Sequence, residues 1–384
     1  MPNLSNKLDW FTESVIRKMT RISNDYGAIN LSQGFPDWEP PKAITEALKE
    51  AASHGPHQYE ITWGSNEFRE KLAKKQEKYM GIEINPNENI VVTCGSTEAM
   101  MVAMMSVCDR GDKVIVFSPF YENYGADAIL CGAEPIYIPL IPPKFNFDKE
   151  VLKKAFEEKP KALILCNPSN PVGKVFTRDE LLYISDLAKK YDTFVITDEV
   201  YEHIVYKPYK HTYIASLPGM KERTISCSSL SKTYSITGWR LGYIIADKKI
   251  VDNCKKVHDF LTVGAAAPLQ KAACAGLSLG EDYYEELIEI YGRKKQLFLN
   301  GLEEAKLKYF EPQGAYYVLV DISEFGEKSD YKFCQWLAKE VGVAAVPGSS
   351  FFKEDVNNYI RFHFAKKDET LIEAIKRLKK IKAL

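Results

Sequence analysis

Short apolar runs alternate with amphipathic runs along most of the chain. From residue 89 onward the apolar runs predict seven strands, at 89–95, 113–119, 134–140, 162–168, 193–199, 224–230 and 241–247. Between them, apolar positions at helical spacing predict helices, most clearly at 96–107, 148–158 and 179–191. Strands that are apolar throughout are buried on both faces, and the intervening helices supply the cover. This part of the chain therefore predicts an α/β domain around a mostly parallel seven-stranded sheet flanked by helices.

The last third of the chain has a different order of elements. A helix at 285–302 is followed by a strand at 315–322, a helix near 331–341 and a strand at 359–365. This order predicts a smaller α+β domain. Because 384 residues exceed what one core usually supports, we expect more than one domain. We place an N-terminal segment that joins the small domain at 1–45, with a turn-rich connection at 29–41, the large domain at 46–275 and the small domain at 276–384.

Polar residues directly follow four of the predicted strands. They are Gly95-Ser96-Thr97, the N-P-S-N-P loop at 167–171, Asp198 with Tyr201, and the serine-rich run that ends at Lys232. Each has an ordinary interpretation when taken alone, as a helix cap, a rigid loop or surface charge. In an open parallel sheet, however, ligands bind beyond the carboxyl ends of the strands. Together the four groups predict one site with a phosphate-sized cradle, an amide, a carboxylate beside a phenol, and a lysine.

The composition narrows the partners to small molecules and other protein chains. With 51 basic and 52 acidic residues the formal net charge is −1, which favours neither nucleic acid nor an anionic membrane. The eight cysteines form no C-x-x-C pair and the six histidines show no paired-ligand spacing, so we expect free thiols and no metal site. The N-terminus has no hydrophobic signal region, and no 18-residue apolar run occurs. We expect a cytoplasmic protein.

Residues 229–242, SLSKTYSITGWRLG, are similar to the lysine signature of class I aminotransferases at every constrained position. The resemblance covers nearly the whole chain, through 33–37, the 167–171 loop, 198–201 and 359–361. The stretch LSQGFPDWEPP resembles most the kynurenine/methionine/glutamine aminotransferase branch. The resemblance implies a pyridoxal-phosphate-dependent transferase of fold type I. It also implies a homodimer with the active site at the subunit boundary.

The resemblance assigns roles to residues by position. It implies that Lys232 binds pyridoxal 5'-phosphate covalently and acts as the general base, and that Asp198 pairs with the pyridine nitrogen. Tyr201 and Asn170 are expected to contact the ring 3-oxygen, with Tyr121 stacked on the ring. The groups expected to hold the phosphate are Ser96, Thr97, Ser229, Arg240 and, from the neighbouring subunit, Tyr59. The groups expected to bind the substrate are Arg361 at its carboxylate, the Gly34 backbone and Asn170.

The implied reaction moves an amino group from an L-amino acid to a 2-oxo acid by a ping-pong mechanism. Aromatic residues are frequent on the expected substrate side: Trp10, Phe11, Phe35, Trp38, Tyr59 and Trp63. If they line the pocket, they favour donors such as methionine, phenylalanine, tyrosine or kynurenine; otherwise they pack domains and subunits. An aspartate aminotransferase is an alternative, which needs a second cation from Arg17, Arg21 or Arg69. A carbon–sulfur β-lyase is another, because it uses the same lysine and aspartate.

Overall fold

The computed structural model describes residues 2–381, which form twelve α-helices and fourteen strands. The helices are α1 (Val15–Asp25), α2 (Lys42–His54), α3 (Asn66–Met80), α4 (Ser96–Val107), α5 (Asn123–Leu130), α6 (Lys149–Glu157), α7 (Arg178–Lys190), α8 (Lys248–Thr262), α9 (Ala267–Leu277), α10 (Glu281–Glu304), α11 (Asp330–Trp336) and α12 (Asp368–Leu378). The strands are β1 (Ile29–Asn30), β2 (Ile90–Thr93), β3 (Lys113–Ser118), β4 (Glu134–Ile141), β5 (Asn146–Phe147), β6 (Ala162–Cys166), β7 (Phe194–Asp198), β8 (Thr224–Ser229), β9 (Gly242–Ile245), β10 (Lys308–Phe310), β11 (Tyr317–Asp321), β12 (Val343–Ala344), β13 (Val346–Pro347) and β14 (Tyr359–His363).

The largest sheet has the strand order β2-β9-β8-β7-β6-β3-β4-β5. Strands β8, β7, β6, β3 and β4 pair in parallel, whereas β9 is antiparallel to both of its neighbours. The prediction of a mostly parallel sheet of seven strands is confirmed, and the two-residue β5 adds a short eighth strand at one edge. Because β9 alone among the seven is reversed, its first residue lies at the edge where the others end.

The sheet is buried on both faces, as its apolar strands predict. In β6, Ala162 and Ile164 belong to one hydrophobic core, and Leu163 and Leu165 belong to the core on the opposite face. This alternation follows from the two-residue repeat of a strand. Helix α4 packs against β7, β8 and β9 and against α8, which covers one face. Burial of this kind stabilises the folded state by about 1.5–3 kcal/mol for each large aliphatic side chain.

The C-terminal part forms a second, smaller unit around an antiparallel sheet in the order β10-β11-β14-β13. Its core contains Phe298 of α10 and Phe362 of β14, so the predicted α+β domain is confirmed. The 29–41 stretch is not only a connection, because β1 pairs in parallel with β12. Two residues are too few to give a strand signal in sequence. The boundaries at 45 and 275 stay predictions.

Among residues 2–381, none of the helices combines the length and the apolar character that a membrane span requires. The same residues contain no group of three or more histidine, cysteine, aspartate or glutamate side chains placed to hold a metal ion.

Candidate active site

A cavity of about 270 Å³ lies at the carboxyl edge of the large sheet. Several of its residues lie at or just after the carboxyl ends of strands. Ser96 begins α4 after β2, Asn170 follows β6, Asp198 ends β7 and Lys232 follows β8. The small domain adds Arg361 of β14. All of the predicted site residues line this cavity except Tyr59, and they meet there because parallel strands end at one edge.

Lys232 lies half-buried in the cavity, and its ammonium donates a hydrogen bond to the Gly34 carbonyl at 3.1 Å. The hydroxyl of Tyr316 donates to the same carbonyl at 3.0 Å. Desolvation lowers the pKa of Lys232 to about 8; Asp198 opposes this shift, and the positive charges of Arg240 and Arg361 add to it. A lysine with so low a pKa is a much better nucleophile near neutral pH than an ordinary one.

Asp198 is buried, with 7% of its surface exposed, and it accepts a hydrogen bond from the Tyr124 hydroxyl at 2.8 Å. Burial raises its pKa, although this bond, a backbone bond from Val200 and the charge of Lys232 oppose the rise. A buried carboxylate is costly without a positive partner. The site therefore suits a ligand that brings a cation, such as a protonated ring nitrogen, to Asp198.

The start of α4 forms an anion cradle. Its N-cap is Gly95, with φ of 86° and no side chain to cap the first amides, so these N–H groups remain free for an anion. A Cβ at Gly95 would collide with the guanidinium of Arg240, which shows how closely that cation approaches the cradle. The hydroxyl of Ser229 is buried without a hydrogen-bond partner beside it. These groups fit a phosphate, which accepts several hydrogen bonds at once.

Arg240 holds a strained backbone conformation, with φ of 53° in the left-handed region. It is the residue between the short helical turn at Thr237–Trp239 and β9, and its Nη1 donates to the Thr237 carbonyl at 3.0 Å. A non-glycine residue in this region costs of order 1–3 kcal/mol, which the surrounding structure must offset. The turn directs the exposed side chain back over the edge of the sheet.

Arg361 is fully buried, and its guanidinium spans the two domains. Its Nη1 donates to the Asn170 amide oxygen at 2.7 Å, and its Nη2 donates to the Ser32 carbonyl at 2.6 Å. The group lies 4.2 Å from the ring centre of Tyr317 and 4.6 Å from that of Phe351. Its Nε has no partner among the described residues. An immobilised guanidinium with a free N–H is suited to a ligand carboxylate.

Three tyrosines complete the wall of the cavity. The hydroxyls of Tyr201 and Tyr317 lie 2.9 Å apart, and burial raises the pKa of both groups, so both stay protonated. Tyr121 lines the cavity, whereas Phe120 packs against Tyr137 with ring centres 5.0 Å apart. Tyr121 therefore lines the cavity and Phe120 does not, and the stacking of Tyr121 on a ring stays a prediction.

Tyr59 does not reach this cavity, and 89% of its surface is exposed. The other aromatic residues singled out in the sequence also lie outside it: Trp10, Phe11, Phe35, Trp38 and Trp63. Within one chain none of them lines the cavity, and Trp10 is largely exposed. Trp38, for example, lies 5.4 Å from Tyr291 in the small-domain core, measured between ring centres.

Sequence reasoning missed several residues of the cavity. The aromatic ones are Tyr124 and Tyr317; the N-terminal ones are Ser14, Ile16 and Gln33; the others are Cys166, Val200 and Ser231. Tyr124 and Tyr317 follow no motif, and their role depends on contacts formed only in the fold. Position gives a signal for Ser231, one residue before Lys232, and for Gln33 and Val200, which lie inside the segments 33–37 and 198–201.

The aminotransferase class I and II family model matches residues 26–378. The chain is 34% identical to methionine aminotransferase of Escherichia coli (strain K12) over 377 residues, which cover 98% of each chain. It is 35% identical to kynurenine–oxoglutarate transaminase 3 of Bos taurus over 399 residues, covering 96% of this chain and 88% of that protein.

A solved Escherichia coli structure, described as identifying a methionine aminotransferase function, matches the fold with a TM-score of 0.95. The two chains are 34% identical, and the match covers 99% of this chain and 100% of the other. The family match and these likenesses span nearly the whole chain, as does the resemblance seen in its sequence. This protein therefore belongs to the class I and II aminotransferases and is an enzyme of that class.

Proposed function

We propose that the protein is a pyridoxal-phosphate-dependent aminotransferase with apolar or aromatic L-amino acids as donors, among them methionine, phenylalanine, tyrosine and kynurenine. The observation that carries this is Lys232 facing Asp198 and Arg361 across one cavity. When bound, the cofactor supplies an aldehyde that takes up the amino group and a protonated ring that accepts electrons from the substrate. The residues of the chain bind it, orient the substrate and move one proton.

The residues fit the cofactor at both of its polar ends. We assign the phosphate to the free amides of α4 with Ser96 and Thr97, and to Ser229 and Arg240, because these groups form an anion cradle with an unpaired hydroxyl. We assign the ring nitrogen to Asp198, whose buried carboxylate is otherwise short of positive charge.

The remaining ring positions are assigned by the same reasoning. Tyr201 is protonated and donates to the ring 3-oxygen, as does the amide N–H₂ of Asn170, whose oxygen is occupied by Arg361. Tyr121 covers the ring face. We expect Tyr59 to complete the phosphate site of the partner in a homodimer, since its phenol is exposed and makes no contact with its own cavity.

Arg361 binds the substrate α-carboxylate through its unpaired Nε, with the Gly34 backbone and Asn170 beside it. This holds the substrate Cα within reach of Lys232. With cofactor and substrate bound, Lys232 would act as the general base that takes the Cα proton and would return it to the cofactor's C4′ atom. Its low pKa supports this role, because at neutral pH much less free energy is needed to deprotonate it.

Apolar donors are supported mainly by the relatives. Ile16, Val200 and the ring of Tyr121 contribute apolar surface to the cavity. The similar proteins are a methionine aminotransferase and a kynurenine–oxoglutarate transaminase, so they favour neither aspartate as the donor nor β-elimination. We place the reaction in the cytoplasm, where thiols such as the eight free cysteines persist.

The test is an absorbance titration of the purified protein with its cofactor bound. Single amino acids are added without any 2-oxo acid, with aspartate as the matched comparison for methionine. We expect methionine and the aromatic donors to convert the lysine-bound form to the aminated form of the cofactor. If none of them does, the proposed function is wrong. Pyruvate and thiol released from cystathionine would identify a β-lyase instead.

A further inference from the structure

His258 of α8 is fully buried, and both of its ring nitrogens face hydrogen-bond acceptors. Its Nδ1 lies 2.7 Å from a carboxylate oxygen of Glu98 in α4, and its Nε2 lies 3.0 Å from the carbonyl oxygen of Thr62. Because a carbonyl oxygen can only accept, Nε2 carries a hydrogen. Whether Nδ1 carries one as well depends on the charge of Glu98.

Glu98 is held as a carboxylate by donors on both of its oxygens. The Thr262 hydroxyl donates to Oε1 at 2.8 Å, and the Cys94 amide donates to Oε2. Burial alone raises the Glu98 pKa, but the bond and charge of His258, together with these two donors, lower it overall. An ionised Glu98 accepts from Nδ1, so His258 donates at both nitrogens and is an imidazolium.

This buried pair lies directly behind the anion cradle. Glu98 is in the first turn of α4, two residues after Ser96, but it does not line the cavity and turns back to the Cys94 amide. An uncompensated carboxylate at this place would repel an anion bound at the same helix start. His258 supplies the compensating charge and fixes the direction in which Glu98 points.

The other ring nitrogen of His258 holds the segment that carries Tyr59. We call residues 56–64 the Tyr59 loop. The Thr62 carbonyl accepts from His258, and the Thr62 hydroxyl donates to Asp259 of α8 at 3.2 Å. Three residues earlier, Tyr59 projects from this anchored base into solvent. His258 is therefore the residue of α8 that contacts the Tyr59 loop and α4 at once.

We propose that His258 is a positioning residue for the cofactor phosphate and that its charge acts on two phosphate sites. Through Glu98 it sets the cradle of its own subunit, and through Thr62 it sets the loop that offers Tyr59 to the partner. This rests on the proposed function, because that function assigns the phosphate to α4 and Tyr59. One buried imidazolium thereby couples phosphate binding at the two active sites of a homodimer.

The charge of His258 is tested on the unaltered, cofactor-free protein by nitrogen NMR with isotope-labelled histidine. At pH 7 we expect a buried ring with two protonated nitrogens. His363 is the internal comparison, because burial lowers its pKa well below the usual value and its ring nitrogens have no partner among the described residues. Glu98→Gln should convert the His258 signal to the neutral form and so assigns it. A neutral His258 in the parent protein overturns the proposal.

The role in phosphate binding is tested with pyridoxal phosphate and with pyridoxal, which lacks the phosphate, each bound at equilibrium by the cofactor-free protein. For His258→Gln we expect pyridoxal phosphate to bind roughly tenfold more weakly, the size of one charge-assisted hydrogen bond, and pyridoxal within about twofold. His54→Gln is the matched control, since it removes an exposed histidine that lies 3.1 Å from Glu50. Equal weakening of both ligands, or unchanged binding, overturns the proposal.

A double-mutant cycle with Tyr59→Phe separates positioning from a general loosening of the fold. If His258 acts through the Tyr59 loop, the combined loss of pyridoxal phosphate affinity is smaller than the sum of the single losses. Additive losses overturn the link to the loop. If the proposed function is wrong, the parent protein itself does not bind pyridoxal phosphate at Lys232. If only this inference is wrong, the parent binds it normally and the His258 results alone fail.

Discussion

The guanidinium of Arg361 donates a hydrogen bond to the amide oxygen of Asn170, with 2.7 Å between the two atoms. The bond joins β14 of the small domain to the loop after β6 in the large sheet. The contact leaves the N–H groups of Asn170 available to a ligand, and it fixes Arg361 with its Nε unpaired among the described residues. One contact thus orients a group assigned to the cofactor and a group assigned to the substrate.

Replacing Arg361 with lysine should weaken the binding of every substrate. Lysine keeps the charge but loses the planar fork that holds Asn170, Ser32 and a carboxylate together. We expect kcat/KM to fall about a hundredfold for both amino acids and 2-oxo acids, roughly what one charged, buried hydrogen bond contributes. Steady-state kinetics with methionine and 2-oxoglutarate measure this. A change below about threefold would contradict the assignment.

Lys232→Ala should abolish covalent cofactor binding and turnover together. Borohydride reduction followed by intact-mass measurement reports the covalent bond independently of activity. We expect the parent protein to gain the mass of the cofactor and the variant to gain none. Lys174→Ala is a suitable control, because Lys174 is also buried but pairs with Glu180 away from the cavity. Normal activity in Lys232→Ala would remove the basis of the proposed function.

Asp198→Ala should slow the loss of the substrate Cα proton by roughly a hundredfold or more, the range of a positioned group that stabilises a transition state. Exchange of the Cα hydrogen of methionine with deuterated solvent measures this step directly. The matched control is Asp127→Asn. Asp127 is a buried carboxyl whose pKa burial raises to about 8, and it does not line the cavity. Equal rates in the two variants would show that Asp198 has no electronic role.

Capture of the cofactor by the cofactor-free protein should depend on pH through Lys232. Its neutral amine is the nucleophile, and the pKa of about 8 leaves about a tenth of the molecules neutral at pH 7. The rate should therefore rise about tenfold per pH unit below 8 and level off above it. Stopped-flow absorbance after mixing with pyridoxal phosphate records the rate. A rise that continues to pH 10 would indicate an ordinary lysine.

A buried ion pair outside the cavity should dominate the response of stability to acid. Glu202 accepts hydrogen bonds from Tyr213 at 2.6 Å and Gln76 at 3.1 Å and lies 3.4 Å from the Lys75 ammonium. Burial alone raises the Glu202 pKa, but Lys75 and these donors lower it from 4.5 to about 2. Since the folded pKa is the lower one, the stabilisation is present above pH 4.5 and is lost as pH falls towards 2.

Glu202→Ala should lower the free energy of unfolding by about 3–5 kcal/mol, because it leaves the buried Lys75 ammonium without a counter-charge. Glu13→Ala removes the exposed partner of Arg21 instead and should cost less than about 1 kcal/mol. Urea denaturation at pH 7 measures both. Similar losses in the two variants would mean that the buried pair contributes no more than a surface pair.

The sequence predicts the large sheet well because its signals are local. Strands β2, β3, β6 and β7 are mostly apolar runs, and the polar groups that follow the strands converge at one edge of the sheet. The lysine signature adds specific roles that pattern alone does not supply.

Other features depend on contacts that no local pattern records. The pairing of β1 with β12 joins residues 29–30 to residues 343–344. Tyr124 and Tyr317 contact Asp198 and Tyr201 only after the chain folds. The aromatic residues near the N-terminus do not line the cavity of their own chain. The sequence could not show this, because composition does not tell which surface a side chain covers. The sequence leaves Arg17, Arg21 and Arg69 as equal candidates for a second cation. Only the structure shows that Arg17 is the one without a side-chain partner among the described residues.

The cavity draws its two sets of groups from different parts of the chain. The groups assigned to the cofactor lie between residues 96 and 240, except Tyr59, whereas those at the substrate end include residues 14–34 and Arg361. Substitutions in α1 therefore change the substrate end of the cavity without replacing any group assigned to the cofactor, whereas Arg361 of β14 also holds Asn170. This division makes the outer segments the natural place for a change of substrate during evolution, and the first place to diversify in an engineered library.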